Sequence, residues 1–180
     1  ICYPGFKSLE YEGKEGVRTL FNRLQEKFGY TPEMEDENVI ALMRKGENIS
    51  LEPGGQIELS GKPMKTIHES KVEIDKHLAE LKEVTEDWKV SWFGCGMNPF
   101  VANEDIPWMP KKRYGIMRKY LITQGHLSHK MMKQTATIQA NLDYKNEEDA
   151  IKKLRTATGL NSIVTAMFAN SPIYCGKATG

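Results

Sequence analysis

Between Lys14 and Phe28 the apolar residues Val17, Leu20, Phe21, Leu24 and Phe28 recur at spacings of three and four, which predicts an amphipathic helix ended by Gly29. Apolar runs at Val39 to Met43 and Ile49 to Leu51 flank the polar Lys45-Gly46-Glu47-Asn48, a hairpin pattern. Pro63 then opens a long helix to about Glu86, with Ile67, Ile74, Leu78 and Leu81 as its buried stripe and its charges, with His68 and His77, on the solvated side. The segment Val90-Ser91-Trp92-Phe93-Gly94-Cys95-Gly96 is rich in β-branched and aromatic residues and predicts a strand buried on both sides. After the Pro-rich loop from Pro99 to Pro110, a helix is expected from near Lys111.

From Thr135 to Asp143 polar residues alternate with Ala136, Ile138, Ala140 and Leu142, which predicts a strand with its apolar side packed on a helix. A last helix from about Glu147 to Ala169 is expected to bury Ile151, Leu154, Ile163, Ala166 and Met167, with Gly159 as a weak point and Asn170-Ser171-Pro172 as its stop. The order helix, hairpin, helix, strand, helix, strand, helix predicts an α+β fold. Its helices would pack on one face of an antiparallel sheet and leave the polar face open as a cleft.

Composition narrows the function classes. The 180 residues suffice for one domain with a real core, and 25 basic against 24 acidic side chains leave a net charge of +1. That balance offers no electrostatic argument for nucleic acid or an anionic membrane. No apolar run approaches the roughly 18 residues of a membrane span. Ile1-Cys2-Tyr3-Pro4-Gly5 lacks the regions of a signal peptide, so a cytoplasmic protein is the expectation. Cys2, Cys95 and Cys175 are widely spaced and predict reduced thiols. A start at Ile1 and an end in the polar Gly176-Lys177-Ala178-Thr179-Gly180 read as a piece of a longer chain.

The candidate chemistry centres on Ser50-Leu51-Glu52-Pro53-Gly54-Gly55-Gln56-Ile57-Glu58-Leu59-Ser60-Gly61. Beyond the glycine turn, Gln56 and Glu58 fall on one side of a strand while Ile57 and Leu59 face the other. An apolar back and a carboxylate front suit oxygen ligands for a hard cation such as Mg²⁺, although two glutamates on a hairpin, taken alone, are more often solvated surface. Arg113, Tyr114, Met117 and Arg118 lie on the first turns of the helix after Lys111, where an anion would dock or surface carboxylates would pair with the arginines. Thr135, Thr137, Gln139, Asn141 and Asp143 form either the floor of a polar cleft or ordinary exposed sheet. Gly94-Cys95-Gly96 lacks the third glycine and following helix of a dinucleotide fingerprint. His126 and His129 form an isolated HxxH pair, a weak metal signal.

Together with that run, Asp105-Ile106-Pro107, Met109-Pro110-Lys111, Arg113-Tyr114, Ile116-Met117-Arg118, Met131-Met132, Gln139, Asn141-Leu142-Asp143 and Phe168-Ala169-Asn170-Ser171-Pro172 resemble glutamate-cysteine ligase of the plant and proteobacterial type, collinearly from about Lys14 to Gly180. The resemblance implies a glutamine-synthetase-like catalytic sheet, ATP and Mg²⁺ as cofactors, and small-molecule substrates glutamate and cysteine. It implies Glu52 and Glu58 as metal-binding catalytic residues, Gln56 beside the substrate, Arg118 with Arg113 on a substrate carboxylate, and Thr135, Thr137 and Asn141 along the floor. Tyr114 and Met117 join the substrate-binding set. The family's Glu-x-Glu metal strand is not found in Ile1 to Gly13, and its main nucleotide-binding part would follow Gly180. Residues 1–180 are therefore expected to be a single partial catalytic domain, inactive alone. Gln134 stands where the family has a basic residue, Lys130 where it has an acidic one, and Asn98-Pro99-Phe100 loses a lysine. The changes near Gln134 leave open a related carboxylate-amine ligase with another amine, and the missing metal strand and early end leave open a non-catalytic relative.

Overall fold

In the computed structural model, residues 7–178 are described and fall into two compact units, residues 7–93 with 101–135 and residues 94–100 with 136–178. Cys2 and the first residues used for the targeting argument lie outside them.

The first unit is built on helix α1 (Val17–Phe28) and a four-stranded antiparallel sheet in the order β1 (Thr31–Glu35), β2 (Asn38–Arg44), β3 (Glu47–Leu51), β4 (Ile57–Ser60). The expected periodicity of α1 holds: Val17, Leu20, Phe21 and Leu24 are all fully buried, and Gly29 closes the helix at φ 70°, a left-handed conformation that glycine adopts without steric cost. Leu42, Ile49 and Leu51 on the sheet meet this stripe, so one sheet face carries the core. The predicted hairpin is β2–β3, and its turn takes Lys45 and Gly46 to positive φ. Strand β1 was not expected, because Thr31-Pro32-Glu33-Met34-Glu35 is nearly all exposed and lacks an alternating apolar pattern.

Helix α2 (Ile67–Val84) starts four residues after Pro63 because Thr66 and Glu69 form a reciprocal capping box. Its expected stripe is corrected. Ile67, Ile74 and Leu78 are exposed, and the buried residues are His77, Glu80, Leu81 and Val84. The reason is electrostatic. Arg44 at the end of β2 donates to Glu47 at 2.6 Å and to Glu80 at 2.9 Å, and the Tyr30 hydroxyl donates to Glu80 at 2.9 Å. This charge network fixes which side of α2 turns inward, so Glu80 and His77 are not surface residues as their chemistry suggested.

Helices α3 (Lys112–Leu121) and α4 (Ser128–Gln134) complete the unit, with a 3₁₀ turn at Asn103–Asp105 in the loop before them. The expected strand over 90–96 is absent. Only isolated bridge residues occur, at Ser91 and Met97, and the Trp92 indole instead donates to the Thr85 hydroxyl at 3.2 Å.

In the second unit, residues 136–144 run without strand pairing and Ile138 is 99% exposed, so the predicted strand and its packed apolar side are both corrected. Alternation alone cannot supply a neighbouring strand, and without ladder hydrogen bonds the pattern has nothing to organise it. Helix α5 (Glu147–Met167) is capped by the Asn146 side chain on the Asp149 N–H and runs unbroken through Gly159. None of its residues is buried, contrary to the expected stripe. Past it, strands β5 (Ile173–Tyr174) and β6 (Lys177–Ala178) form a small hairpin about Cys175 and Gly176. Asn170 links to the short segment at Gly94–Gly96 through two hydrogen bonds, one from Gly96 N–H and one to Gly94 O. Cys95 and Cys175 are free thiols, as expected for both. The architecture is α+β with an antiparallel sheet.

Candidate active site

In an antiparallel ladder, residues directly opposite each other share a face. Glu58 on β4 opposes Ser50 on β3, Ser50 opposes Ala41 on β2, and Ala41 opposes Glu33 on β1. This row lies on the face away from the α1 core. Ser50 donates at 3.1 Å to Glu52, two residues on, which places the Glu52 carboxylate on the same side as Glu58. The pairing continues past the strand ends, with Glu52 N–H donating to Gln56 O and Gly55 N–H to Glu52 O. The Pro53-Gly54-Gly55 turn thus aims both carboxylates to one side, as the alternation in the sequence predicted for Glu58.

Helix α3 delivers cations to this face. Tyr114 is fully buried and donates to the Leu51 carbonyl at 2.6 Å, pinning the first turn of α3 to the end of β3. Arg113 reaches to 3.8 Å from Glu52 and donates to the Tyr114 oxygen at 3.2 Å. Lys111 and Arg113 both lie over the Tyr114 ring, at 5.5 and 5.1 Å. Burial pushes the Tyr114 hydroxyl up to about 12. Burial also raises the Glu58 carboxyl above its ordinary value, and the charge of Glu52 adds to this while Arg113 and Lys111 oppose it. Lys111 is held below its ordinary value, first by burial and then by Arg113. Lys111 and Glu33 were missed as members of this group. The Met109-Pro110-Lys111 run signalled the first, whereas nothing local in sequence shows that Glu33 is carried across the sheet.

The remaining candidates are placed differently. Gln56 accepts from Gly54 N–H at 2.8 Å and donates to the carbonyls of Met132 at 3.1 Å and Thr135 at 2.8 Å, so its amide ties the glycine turn to the end of α4. Gly54 is pressed against that same end: a Cβ there would stand 2.2 Å from the Lys133 carbonyl oxygen. Thr135 donates to Met131 O at 2.6 Å. Met117 is half-buried against the core, and Arg118 stacks on Trp108 at 5.1 Å. Thr137 and Asn141 belong to the second unit, exposed on its unpaired segment. Gln134, read as a selectivity position, is 1% exposed and donates to Val101 O at 2.9 Å, a structural role in the interior.

Among the described residues, no three or more His, Cys, Asp or Glu side chains come together as a metal site. His129 is committed to the Arg118 carbonyl region at 2.9 Å, and His126 lines a shallow apolar hollow. No described helix is long and apolar enough to cross a membrane.

The sequence profile of the family described as glutamate-cysteine ligase family 2 matches residues 3–180. The chain is 46% identical over 164 residues to glutamate–cysteine ligase A, chloroplastic, of Oryza sativa subsp. japonica, covering 91% of this chain and 33% of that protein. It is 44% identical over 166 residues to the chloroplastic glutamate–cysteine ligase of Medicago truncatula, covering 92% and 33%. Against the Arabidopsis thaliana enzyme it is 44% identical over 164 residues, covering 91% and 31%. The chain thus spans about a third of the length of these curated relatives. Their chloroplastic names overturn the cytoplasmic expectation. That expectation rested on the absence of signal-peptide features near Ile1, and in a chain covering a third of its relatives Ile1 says nothing about targeting.

Proposed function

The chain belongs to glutamate-cysteine ligase family 2, and from that premise we propose that its whole protein joins the side-chain carboxylate of L-glutamate to the amine of L-cysteine. The product is γ-glutamylcysteine, the first step of glutathione synthesis, formed with ATP through a γ-glutamyl phosphate. The chloroplastic relatives support a plastid location. The single observation that carries the reading is the shared open face of Glu52 and Glu58, with Arg113 at 3.8 Å from Glu52.

Two like charges on one face, one of them with a raised pKa, form a site that a divalent cation would relieve. Mg²⁺ commonly takes one or two carboxylates and completes its shell with water and phosphate oxygens, so Glu52 and Glu58 fit its protein share. Bound there with nucleotide, it would supply charge neutralisation at the phosphates. The chain's own groups orient the substrate. Arg113 is braced by Tyr114 and presents a planar fork suited to a carboxylate, and Lys111 adds a second positive charge beside it. Arg118 takes a second substrate carboxylate. Residues 1–180 act as part of a larger catalytic domain, with further metal and nucleotide groups supplied by the rest of the protein.

The reading with another amine as substrate rested chiefly on Gln134, whose interior position removes that support. The test is turnover of the whole protein with glutamate, ATP and Mg²⁺, comparing cysteine with other amines. Cysteine-dependent phosphate release is expected, and equal release with unrelated amines would sink the assignment.

A further inference from the structure

Trp108 carries no role in the sites described so far, yet three side chains converge on its ring. The Arg118 guanidinium lies 5.1 Å from the ring centroid, the Lys133 ammonium 5.0 Å, and the His129 ring stands edge-on at 5.1 Å with an interplanar angle of 83°. His129 Nε2 also lies 2.9 Å from the Arg118 carbonyl oxygen, so one imidazole touches both the indole and the backbone that bears the arginine. Lys133 is buried, and its ammonium donates to the carbonyl of Ile106 at 2.8 Å and to that of Asn103. These bonds fix the loop that leads into Trp108.

Arg118 itself is different. Among the described residues no carboxylate stands within ion-pair range of its guanidinium and no carbonyl accepts from it. An exposed arginine without a carboxylate partner ordinarily samples many rotamers. Stacking on an indole face restrains it while leaving the edge N–H groups open, which is the geometry a bidentate carboxylate needs. Lys133, on the same ring, adds positive potential from a fixed position, because two of its three donors are held by the Asn103 and Ile106 carbonyls.

We propose that Trp108 is a positioning residue that holds Arg118 ready for the non-reacting carboxylate of an amino-acid substrate. This rests on the carboxylate-binding reading of Arg118 given above. Trp108 does not touch the reacting atoms. It lowers the entropy lost when the carboxylate is captured, so its removal raises the KM of that amino acid and leaves kcat nearly unchanged.

The test is steady-state kinetics of the whole protein with Arg118→Gln, Trp108→Leu, Trp108→Phe and the Arg118→Gln/Trp108→Phe double variant, each checked for folding by thermal denaturation. Arg118→Gln is expected to raise one amino-acid KM at least about tenfold. Trp108→Leu should raise the same KM about 3- to 30-fold, the range of a cation–π contact, with kcat within about twofold. Trp108→Phe, which keeps a π face, should recover most of the loss, and its residual effect should vanish in the Arg118→Gln background. If Arg118→Gln leaves both KM values at wild type, the Arg118 reading fails and the proposal falls with it. If Arg118→Gln raises KM but the Trp108 variants do not, or if Trp108→Phe and Arg118→Gln add independently, the positioning role alone is overturned. Should Trp108→Leu fail to fold, the phenylalanine variant and the double variant decide the question.

Discussion

The Tyr114 hydroxyl donates to the Leu51 carbonyl at 2.6 Å, and this bond joins the cation-bearing helix to the strand that ends at the acidic turn. Replacing Tyr114 by Phe leaves the Leu51 carbonyl buried without this donor and Arg113 without its oxygen partner. We expect a loss of about 1–3 kcal/mol in urea unfolding. In the whole protein kcat/KM should fall several-fold as Arg113 loses its brace, and retention of wild-type stability and turnover would contradict the anchoring role.

Glu58 has its pKa raised in the folded state, first by burial and then by Glu52. A raised carboxyl binds protons more readily folded than unfolded, so its ionised form opposes folding, and this penalty is relieved as pH falls through the folded value. Glu58→Gln should therefore keep or slightly raise the thermal midpoint, by about 1–3 °C. The same substitution should remove at least about 99% of ligase activity in the whole protein, the range for loss of a metal or transition-state contact. Normal turnover would refute the metal role, and a large drop in the midpoint would refute the electrostatic reading.

Gly54 admits no Cβ, because the Lys133 carbonyl oxygen would lie 2.2 Å from it. Gly54→Ala forces the end of α4 away from the turn and should cost about 1–3 kcal/mol or more. Hydrogen exchange would show the effect at 131–135 before it reached α1.

The network of Arg44, Glu47, Glu80 and Tyr30, with Lys76 at 3.6 Å from Glu80, makes the first unit sensitive to acid. Burial alone would raise the Glu80 carboxyl, but hydrogen bonds from Arg44 and Tyr30 outweigh it and leave the group below its ordinary 4.5. Burial and Arg44 hold His77 below its ordinary 6.5, against the pull of Glu80 and Glu47. Both folded values are depressed, so both contributions are complete above the unfolded pKa and are lost as pH falls. Stability should decline first as pH drops below 6.5, through His77, and further below 4.5, through Glu80. A His77→Phe variant should lack the first phase, and Glu80→Ala should lose about 1–3 kcal/mol at neutral pH by removing one of the two carboxylates on Arg44 and the acceptor of the Tyr30 hydroxyl. A flat stability profile between pH 7 and 5 would contradict the assignment of His77.

Local pattern carried the elements that organise themselves. Helix α1 has five apolar residues in register and a glycine stop, and the β2–β3 hairpin has a turn flanked by apolar runs, so both were legible. The stripe of α2 was not, because its inward side is chosen by Arg44, a partner more than thirty residues away whose pull outweighs the apolar count on Ile67, Ile74 and Leu78. Strands at 90–96 and 135–143 were read from composition and alternation, and both lack the neighbouring strand that would make them real. For the site, the Glu-Pro-Gly-Gly-x-x-Glu spacing was sufficient to put the two carboxylates on one side. Recruitment of Lys111 and Glu33, and the interior use of Gln134, depend on tertiary contacts that no single segment encodes.

Helix α5 shows water a stripe of Leu160, Ile163, Val164 and Met167, at i, i+3, i+4 and i+7 on one side and each at least 46% exposed. Apolar side chains grouped on one exposed helix face favour association, so a polypeptide of these residues would tend to clump at the concentrations used for spectroscopy. Preparations of it are best handled dilute or with a mild detergent, and dye binding at this flank would be the first sign of the greasy strip at work.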